Sequence, residues 1–421
     1  IHFFSFRKSN FHSSVFGNKI ISPLVYYTEN DLFVREKMIY LDNAASGGFK
    51  PYASKEVAIN VTKNLNVNPT RSGHKLAETG GRLVFETRKA LCDFFGGYST
   101  ERTVFTKNCT EALNLAILGV LKPDDEVVTT CIEHNSVLRP LKFLEAEKRV
   151  KIHIAFPEKC LFSRKNTIIR YSDVRPFLSK KTKLVIICRA SNVNGSDADA
   201  NEIAANLKKE FPETLLLIDG AQSGGHERFD MKGTGADMLA LACHKGLGAV
   251  GASGALLFSD RCEISPLTFG GTGSDSFSVQ PDYYPDKLES GTLNLPSIAS
   301  LFEGILHLKH TLDFNIFRLN TLTKETIDGL KNIRGVKIYS LPNPFGIVAF
   351  SIENLPSVVA AERLSDEFGI AVRGGFHCAP LMHKYLGTEK EGLIRASFAP
   401  ENTSKEAEKL CEAVKILAEK A

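Results

Sequence analysis

The sequence predicts an α/β fold, with a large domain on a mainly parallel sheet followed by a smaller α+β C-terminal domain. Three observations carry this. From about residue 100, short apolar runs alternate with helical stretches, the pattern of a sheet with helices on its faces. Several runs are almost continuously apolar, as strands buried on both faces must be. Over the last 130 or so residues, helical stretches dominate and the strands are short. The expected boundaries are 53–290 for the large domain and 291–421 for the small one, with 38–52 crossing over to the small domain.

The elements follow in order. Residues 1–28 hold Arg7, Lys8 and Lys19, no acid, many Ser and Phe, and no sustained period. That composition admits a transit peptide. The preferred reading of 1–37 is an upstream extension that packs poorly. Ordered-looking sequence starts after Met38, at Ile39-Tyr40-Leu41-Asp42. Strands are expected at 126–131, 151–155, 184–189, 215–219, 238–243 and 254–258. After Thr110, Leu113, Ile117, Val120 and Leu121 form a helical stripe. The small domain should hold strands at 336–340, 346–352 and 370–373. Its last helix opens on a capping box, Thr403 with Glu406. Ala407, Leu410, Val414 and Leu417 then share one face, which Cys411 extends as core filler.

Composition removes several classes of function. Of 421 residues, 43% are hydrophobic and 24% charged, the mixture of a folded globular chain rather than a disordered or collagen-like one. No apolar run reaches the length of a membrane span. A net charge of +4 is too small to imply a nucleic-acid partner. Nine cysteines without a Cys-x-x-Cys pair are no disulfide framework, and fit a reducing, cytoplasmic setting. Neither Cys131-Ile132-Glu133-His134 nor His377-Cys378 has the ligand spacing of a structural zinc site.

The motifs narrow the chemistry. Gly246-Leu247-Gly248-Ala249-Val250-Gly251 spells a dinucleotide fingerprint, but a strand-like run follows where a helix should open, so a nicotinamide cofactor is rejected. Asp219 ends a buried strand and precedes Gly220-Ala221-Gln222; Lys245 follows another strand in Cys243-His244-Lys245. An acid and a lysine at strand ends suit pyridoxal phosphate (PLP): the lysine forms a Schiff base and the carboxylate keeps the pyridine nitrogen protonated. A structural ion pair accounts for the spacing equally well. Asn108-Cys109-Thr110-Glu111 opens a helix whose N-terminus can hold an anion, or is simply capped. His134, after the strand at 126–131, could stack on a flat cofactor or serve packing alone. Arg373-Gly374-Gly375-Phe376-His377-Cys378-Ala379-Pro380 is a glycine-rich loop that places a cysteine where its thiol can be exposed and nucleophilic.

Taken together, these residues resemble the cysteine desulfurases, in the class V branch of the fold-type I PLP-dependent enzymes. The resemblance covers about 39–421. It runs from Tyr40-Leu41-Asp42-Asn43-Ala44-Ala45 through Thr110-Glu111, Glu133-His134, Ser191-Asn192-Val193, Asp219 to Gln222, and His244-Lys245. It continues through Glu289-Ser290-Gly291-Thr292, the Cys378 loop and Arg395-Ala396-Ser397. It implies that Lys245 carries the PLP, Asp219 pairs with the ring nitrogen, Gln222 bonds the ring oxygen and His134 stacks on the ring. Thr110 and His244 would bind phosphate beside Cys109, with Thr292 reaching in from the second subunit of a homodimer. Asn192 and Arg395 would hold the substrate carboxylate, and Cys378 would accept the sulfur. Ala242 stands where the family usually has Ser or Thr, so one phosphate hydrogen bond should be missing. The implied reaction converts L-cysteine to L-alanine and passes sulfur to an acceptor protein. L-selenocysteine is the rival substrate, and a class V transaminase and a non-catalytic sulfur-transfer scaffold are the rival functions.

Overall fold

The computed structural model describes residues 38–69, 72–157, 168–272 and 275–421; the extension at 1–37 and Cys160 lie outside the described residues. Residues 39–421 form one compact unit. Its strands are β1 (Ile39–Tyr40), β2 (Thr103–Thr106), β3 (Asp125–Thr130), β4 (Val150–Ala155), β5 (Ile168–Ile169), β6 (Thr182–Cys188), β7 (Asp197–Ala198) and β8 (Leu215–Asp219). They continue with β9 (Met238–Ala242), β10 (Gly254–Phe258), β11 (Val336–Ile338), β12 (Ile347–Ile352), β13 (Ile370–Ala371), β14 (Arg373–Gly375) and β15 (Leu393–Ser397). The longer helices are α1 (Tyr52–Asn64), α2 (Lys75–Phe94), α3 (Cys109–Val120), α4 (Asn135–Ala146), α5 (Ala200–Glu210), α6 (Leu295–Leu330), α7 (Ser357–Phe368), α8 (Pro380–Leu386) and α9 (Ser404–Glu419).

The central sheet has seven strands in the order β2-β10-β9-β8-β6-β3-β4. The pairs from β9 through β4 are parallel, and β10 runs antiparallel to both of its neighbours. The apolar runs behave as sheet physics requires: every residue of β8, β9 and β10 is buried. Period-two alternation divides them between two cores. Leu216 and Ile218 join one, Leu215 and Leu217 the other.

The second sheet has the order β11-β12-β15-β14 and is antiparallel throughout. The segment after Met38 pairs with this region: β1 lies parallel to β13, and Asp42 bridges Ser397. One helix of 36 residues, α6, packs against α1, α2 and α9. It comes so close to the turn after Lys245 that a Cβ on Gly304 would lie 2.1 Å from the Leu247 carbonyl oxygen. The expected strand at 370–373 is divided. Residues 370–371 pair with β1, and the chain changes partner at Val372 so that 373–375 pair with β15. The sequence reading missed β15 because a fully buried arginine, Arg395, interrupts its apolar pattern.

A buried ion pair joins the end of the large-sheet region to α2. Arg88 Nη1 and Nη2 meet Glu289 Oε1 and Oε2 at 2.7 and 2.8 Å, and both side chains are 6% exposed. Glu289 Oε1 also accepts the Phe105 amide hydrogen at 2.6 Å. Removing one partner of such a pair strands the other charge out of water. Glu289→Gln should therefore lower unfolding stability by about 3–5 kcal/mol, measured by denaturant titration.

Candidate active site

The carboxyl ends of the parallel strands deliver side chains to one cavity of about 220 Å³. Asp219 is the last residue of β8, and Lys245 lies in the turn that follows the adjacent strand β9. The turn is braced from the N-terminal segment, where Lys50 Nζ donates to the His244 carbonyl oxygen. Cys109 and Thr110 open α3 beneath the same cavity. Asn108 caps that helix by accepting the Glu111 amide hydrogen at 2.9 Å. A Cβ on Gly254 would lie 2.3 Å from the Asn108 carbonyl carbon, so β10 reaches the cap only with glycine there.

Burial sets the electrostatics. Asp219 is 2% exposed, and desolvation raises its pKa; the Ala221 amide, bonded to Oδ1 at 2.9 Å, and nearby Lys245 oppose the rise. The Cys109 thiol donates to the same oxygen at 3.8 Å. Lys245 is enclosed around the cavity, and desolvation lowers its pKa against the pull of Cys109 and Asp219. The outcome is an amine with weakened hold on its proton, beside a carboxyl that also resists charge.

His134 caps α4. Its Nδ1 accepts from the Ser136 amide at 3.0 Å and lies 2.8 Å from Ser136 Oγ, which reaches Thr110 Oγ1 at 2.9 Å. Accepting at Nδ1 leaves the ring proton on Nε2. Desolvation, then the charge of Lys245, lowers His134 to about 4, so its ring is neutral. His244 and Gln222 line the cavity as well, but Gln222 Nε2 is occupied by the Ala44 carbonyl oxygen at 2.9 Å.

Arg395, from β15, and Asn192, from the loop after β6, also line the cavity. Arg395 does not present a free fork. Nη2 is paired with Asp42 Oδ1 at 2.6 Å and Nη1 donates to the Asn192 carbonyl oxygen at 2.9 Å. Asn192 Nδ2 donates to the His377 carbonyl oxygen at 2.6 Å. Arg395 Nε, Asn192 Oδ1 and His244 Nδ1 remain buried without a hydrogen-bond partner. Orphaned polar atoms on the wall of a cavity point to a polar ligand.

Two expected residues lie apart. Cys378 is exposed and does not line the cavity, although Arg373, which does, places Nη2 3.7 Å from its Sγ. Thr292 borders a separate cavity of about 340 Å³ with Lys107, Ser253 and Thr268. Sequence reasoning gave no role to Asp42, whose partner stands 353 positions away, nor to Cys188, which lines the cavity. Cys243, which precedes His244, is buried in the adjoining core. No local pattern reveals either thiol's surroundings. Among the described residues, no group of three or more His, Cys, Asp or Glu could hold a metal ion, and no helix is long and apolar enough to cross a membrane.

A lysine amine, a buried acid, a flat neutral ring, a helix N-terminus and an unpaired guanidinium N–H around one cavity fit a planar, anionic aldehyde. Residues 39–410 match the aminotransferase class-V family model. The chain belongs to that family. It is 30% identical to a probable cysteine desulfurase of Methanothermobacter thermautotrophicus, over 90% of this chain and 94% of that one. It is also 30% identical to a probable cysteine desulfurase of Halalkalibacterium halodurans, over 89% and 91% respectively. In structure it resembles the apo cysteine desulfurase from Thermococcus onnurineus NA1, with a TM-score of 0.83, 29% identity, and coverage of 93% of this chain and 98% of that one.

Glu133, beside His134, is fully buried. Oε1 accepts from Thr130 Oγ1 at 2.6 Å and the Cys188 amide at 2.8 Å, while Oε2 has no partner. Desolvation raises its pKa from 4.5 to about 8, so the folded state holds a proton that the unfolded chain releases. The contribution of this group to stability is therefore fully present below 4.5 and is lost as pH rises to about 8. Glu133→Gln, which matches the neutral acid in shape, should remove that part of the pH dependence. Denaturation midpoints of both proteins between pH 5 and pH 8 check this.

Proposed function

We propose that this class-V enzyme is a PLP-dependent cysteine desulfurase, converting L-cysteine to L-alanine and taking the sulfur onto Cys378 as a persulfide. One observation carries the reading: an exposed cysteine stands 3.7 Å from Arg373, whose side chain also lines the cavity that holds Lys245 and Asp219. A transaminase has no need of that thiol. The desulfurase names of the relatives and of the structural neighbour support the same activity.

PLP, when bound, supplies an electron sink for the substrate carbon. Lys245 Nζ would hold it covalently, Asp219 would face its ring nitrogen, and His134 would cover its ring. The N-terminus of α3, with Thr110 and His244, would meet its phosphate. Gln222, near Ala44, would approach the ring oxygen. Thr292, outside this chain's own cavity, would serve the phosphate site of a second subunit.

The protein's own groups then have separable tasks. Lys245 Nζ, disposed toward neutrality by burial, takes the proton from the substrate Cα and returns one later. Arg395, through the Nε–H left without a partner, orients the substrate carboxylate, and Asn192 braces that guanidinium through its carbonyl oxygen. Cys378 Sγ attacks the substrate sulfur. The new S–S bond forms as the C–S bond breaks, the C–S electron pair stays with the three-carbon fragment, and that fragment gains a proton to become alanine. The exposure of Cys378 lets an acceptor protein collect the sulfur.

Two substitutions separate the halves of this chemistry. The wild-type protein should take up PLP and absorb visible light. Lys245→Ala should lose the covalent link and all turnover. Cys378→Ala should keep the visible band and its change on adding L-cysteine, yet form alanine at least about a hundredfold more slowly, the scale expected for losing a nucleophile. Alanine formed per active site is the measurement. Near wild-type turnover by Cys378→Ala would refute the persulfide step.

A further inference from the structure

The tip of the Cys378 loop is held in an unusual way. His377 and Cys378 both have positive φ, 49° and 59°, although neither is glycine. Two successive non-glycine residues in the left-handed region carry backbone strain and persist only where outside contacts hold them. The contacts are on the two carbonyls of these same residues. The His377 oxygen accepts from Asn192 Nδ2 at 2.6 Å, and the Cys378 oxygen accepts from the Asn135 backbone amide at 2.7 Å.

Both donors lie just beyond the carboxyl ends of central-sheet strands, Asn135 after β3 and Asn192 after β6. Asn135 is the first residue of α4, directly after His134, and its N–H is one of the four at a helix start that have no partner within the helix. Asn192 is the residue whose carbonyl oxygen holds Arg395. The other attachments of the loop belong to its own region: His377 Nε2 lies 3.1 Å from the Leu393 oxygen, and Ala379 N donates to the Phe376 oxygen at 3.0 Å.

We propose that the Asn135 N–H and the Asn192 amide are positioning groups for Cys378, docking the nucleophile loop onto the cofactor-bearing sheet by its two strained carbonyls. Asn192 thereby has a task beyond the carboxylate site: it links the groups that hold substrate to the residue that receives sulfur. The inference rests on Cys378 being the sulfur acceptor only for its catalytic consequence; the docking itself is a property of the loop.

Asn135→Pro isolates the backbone donor. Proline is well tolerated at the first position of a helix, and His134, at φ −76° and ψ 158°, already has the extended conformation that a following proline requires. The ring takes the place of the lost hydrogen, so the Cys378 carbonyl cannot stay bonded there. Asn135→Ala is the control, since it removes the side chain and keeps the N–H. Hydrogen exchange of a peptide spanning 374–380, measured by mass spectrometry on the PLP-loaded protein without substrate, should be about fivefold faster in Asn135→Pro, the factor that one net hydrogen bond represents. It should be unchanged in Asn135→Ala. With L-cysteine, Asn135→Pro should lose about ten- to a hundredfold in kcat with KM nearly constant, as a misplaced but intact nucleophile would. Asn192→Ala should show the same faster exchange, and reads the second tether should the proline variant not fold. Wild-type exchange in the 374–380 peptide of either variant that folds would overturn the proposal. Faster exchange with no desulfurase activity in the wild type would sustain the docking and refute the proposed reaction instead.

Discussion

Lys245 and Asp219 face one cavity from the ends of adjacent parallel strands, both largely withdrawn from bulk water. Each resists its charged form, and each partly relieves the other. Strands β8 and β9 bring Asp219 and Ala242 to the cavity, and α6 packs on the turn after Lys245 so closely that only glycine fits at 304. His134 is drawn into the same field, its ring kept neutral by burial and by the lysine charge.

The N-terminal segment connects this centre to the second sheet. It pairs with β13 through β1 and bridges Ser397 through Asp42. Within a few residues it supplies Asp42 to Arg395, the Ala44 carbonyl to Gln222 and Lys50 to the His244 carbonyl. An arginine buried as completely as Arg395 needs a counter-charge, and Asp42 provides it. The positions of Lys245 and Arg395 thus depend on a stretch of chain that belongs to neither of the main sheet's cores.

The amine of Lys245 and the thiol of Cys378 have opposite surroundings, one desolvated and the other exposed. Desolvation weakens an amine's hold on its proton, whereas exposure keeps a thiol accessible to reagents from outside. The protein places them on different elements, Lys245 on the turn after β9 and Cys378 on a loop between β14 and α8. Arg373 spans the gap, lining the cavity while touching the thiol.

Much of this was legible in the sequence for local reasons. A continuous apolar run has one economical place, inside a sheet covered on both faces, so β8, β9 and β10 could be located to within a residue. Asp219 and Lys245 were readable because each stands at the end of such a run. The capping box of α9 is a short-range hydrogen-bond pattern, and both of its bonds form. What the sequence could not decide depends on partners far apart in the chain. Arg395 disguised its own strand, because a buried charge breaks the apolar pattern and its counter-ion is 353 residues away. The strand at 370–373 changes sheets midway because two different neighbours compete for it. Gln222 and Asn192 each place the amide nitrogen on a backbone carbonyl brought in by folding, contacts that no local pattern foretells. Residue types and their local spacing determined the strands, the helix starts and the chemistry available. Only tertiary packing decided which polar atoms are satisfied and which are left without a partner, because desolvation and hydrogen bonding are set by the whole surroundings of an atom rather than by its neighbours in the chain.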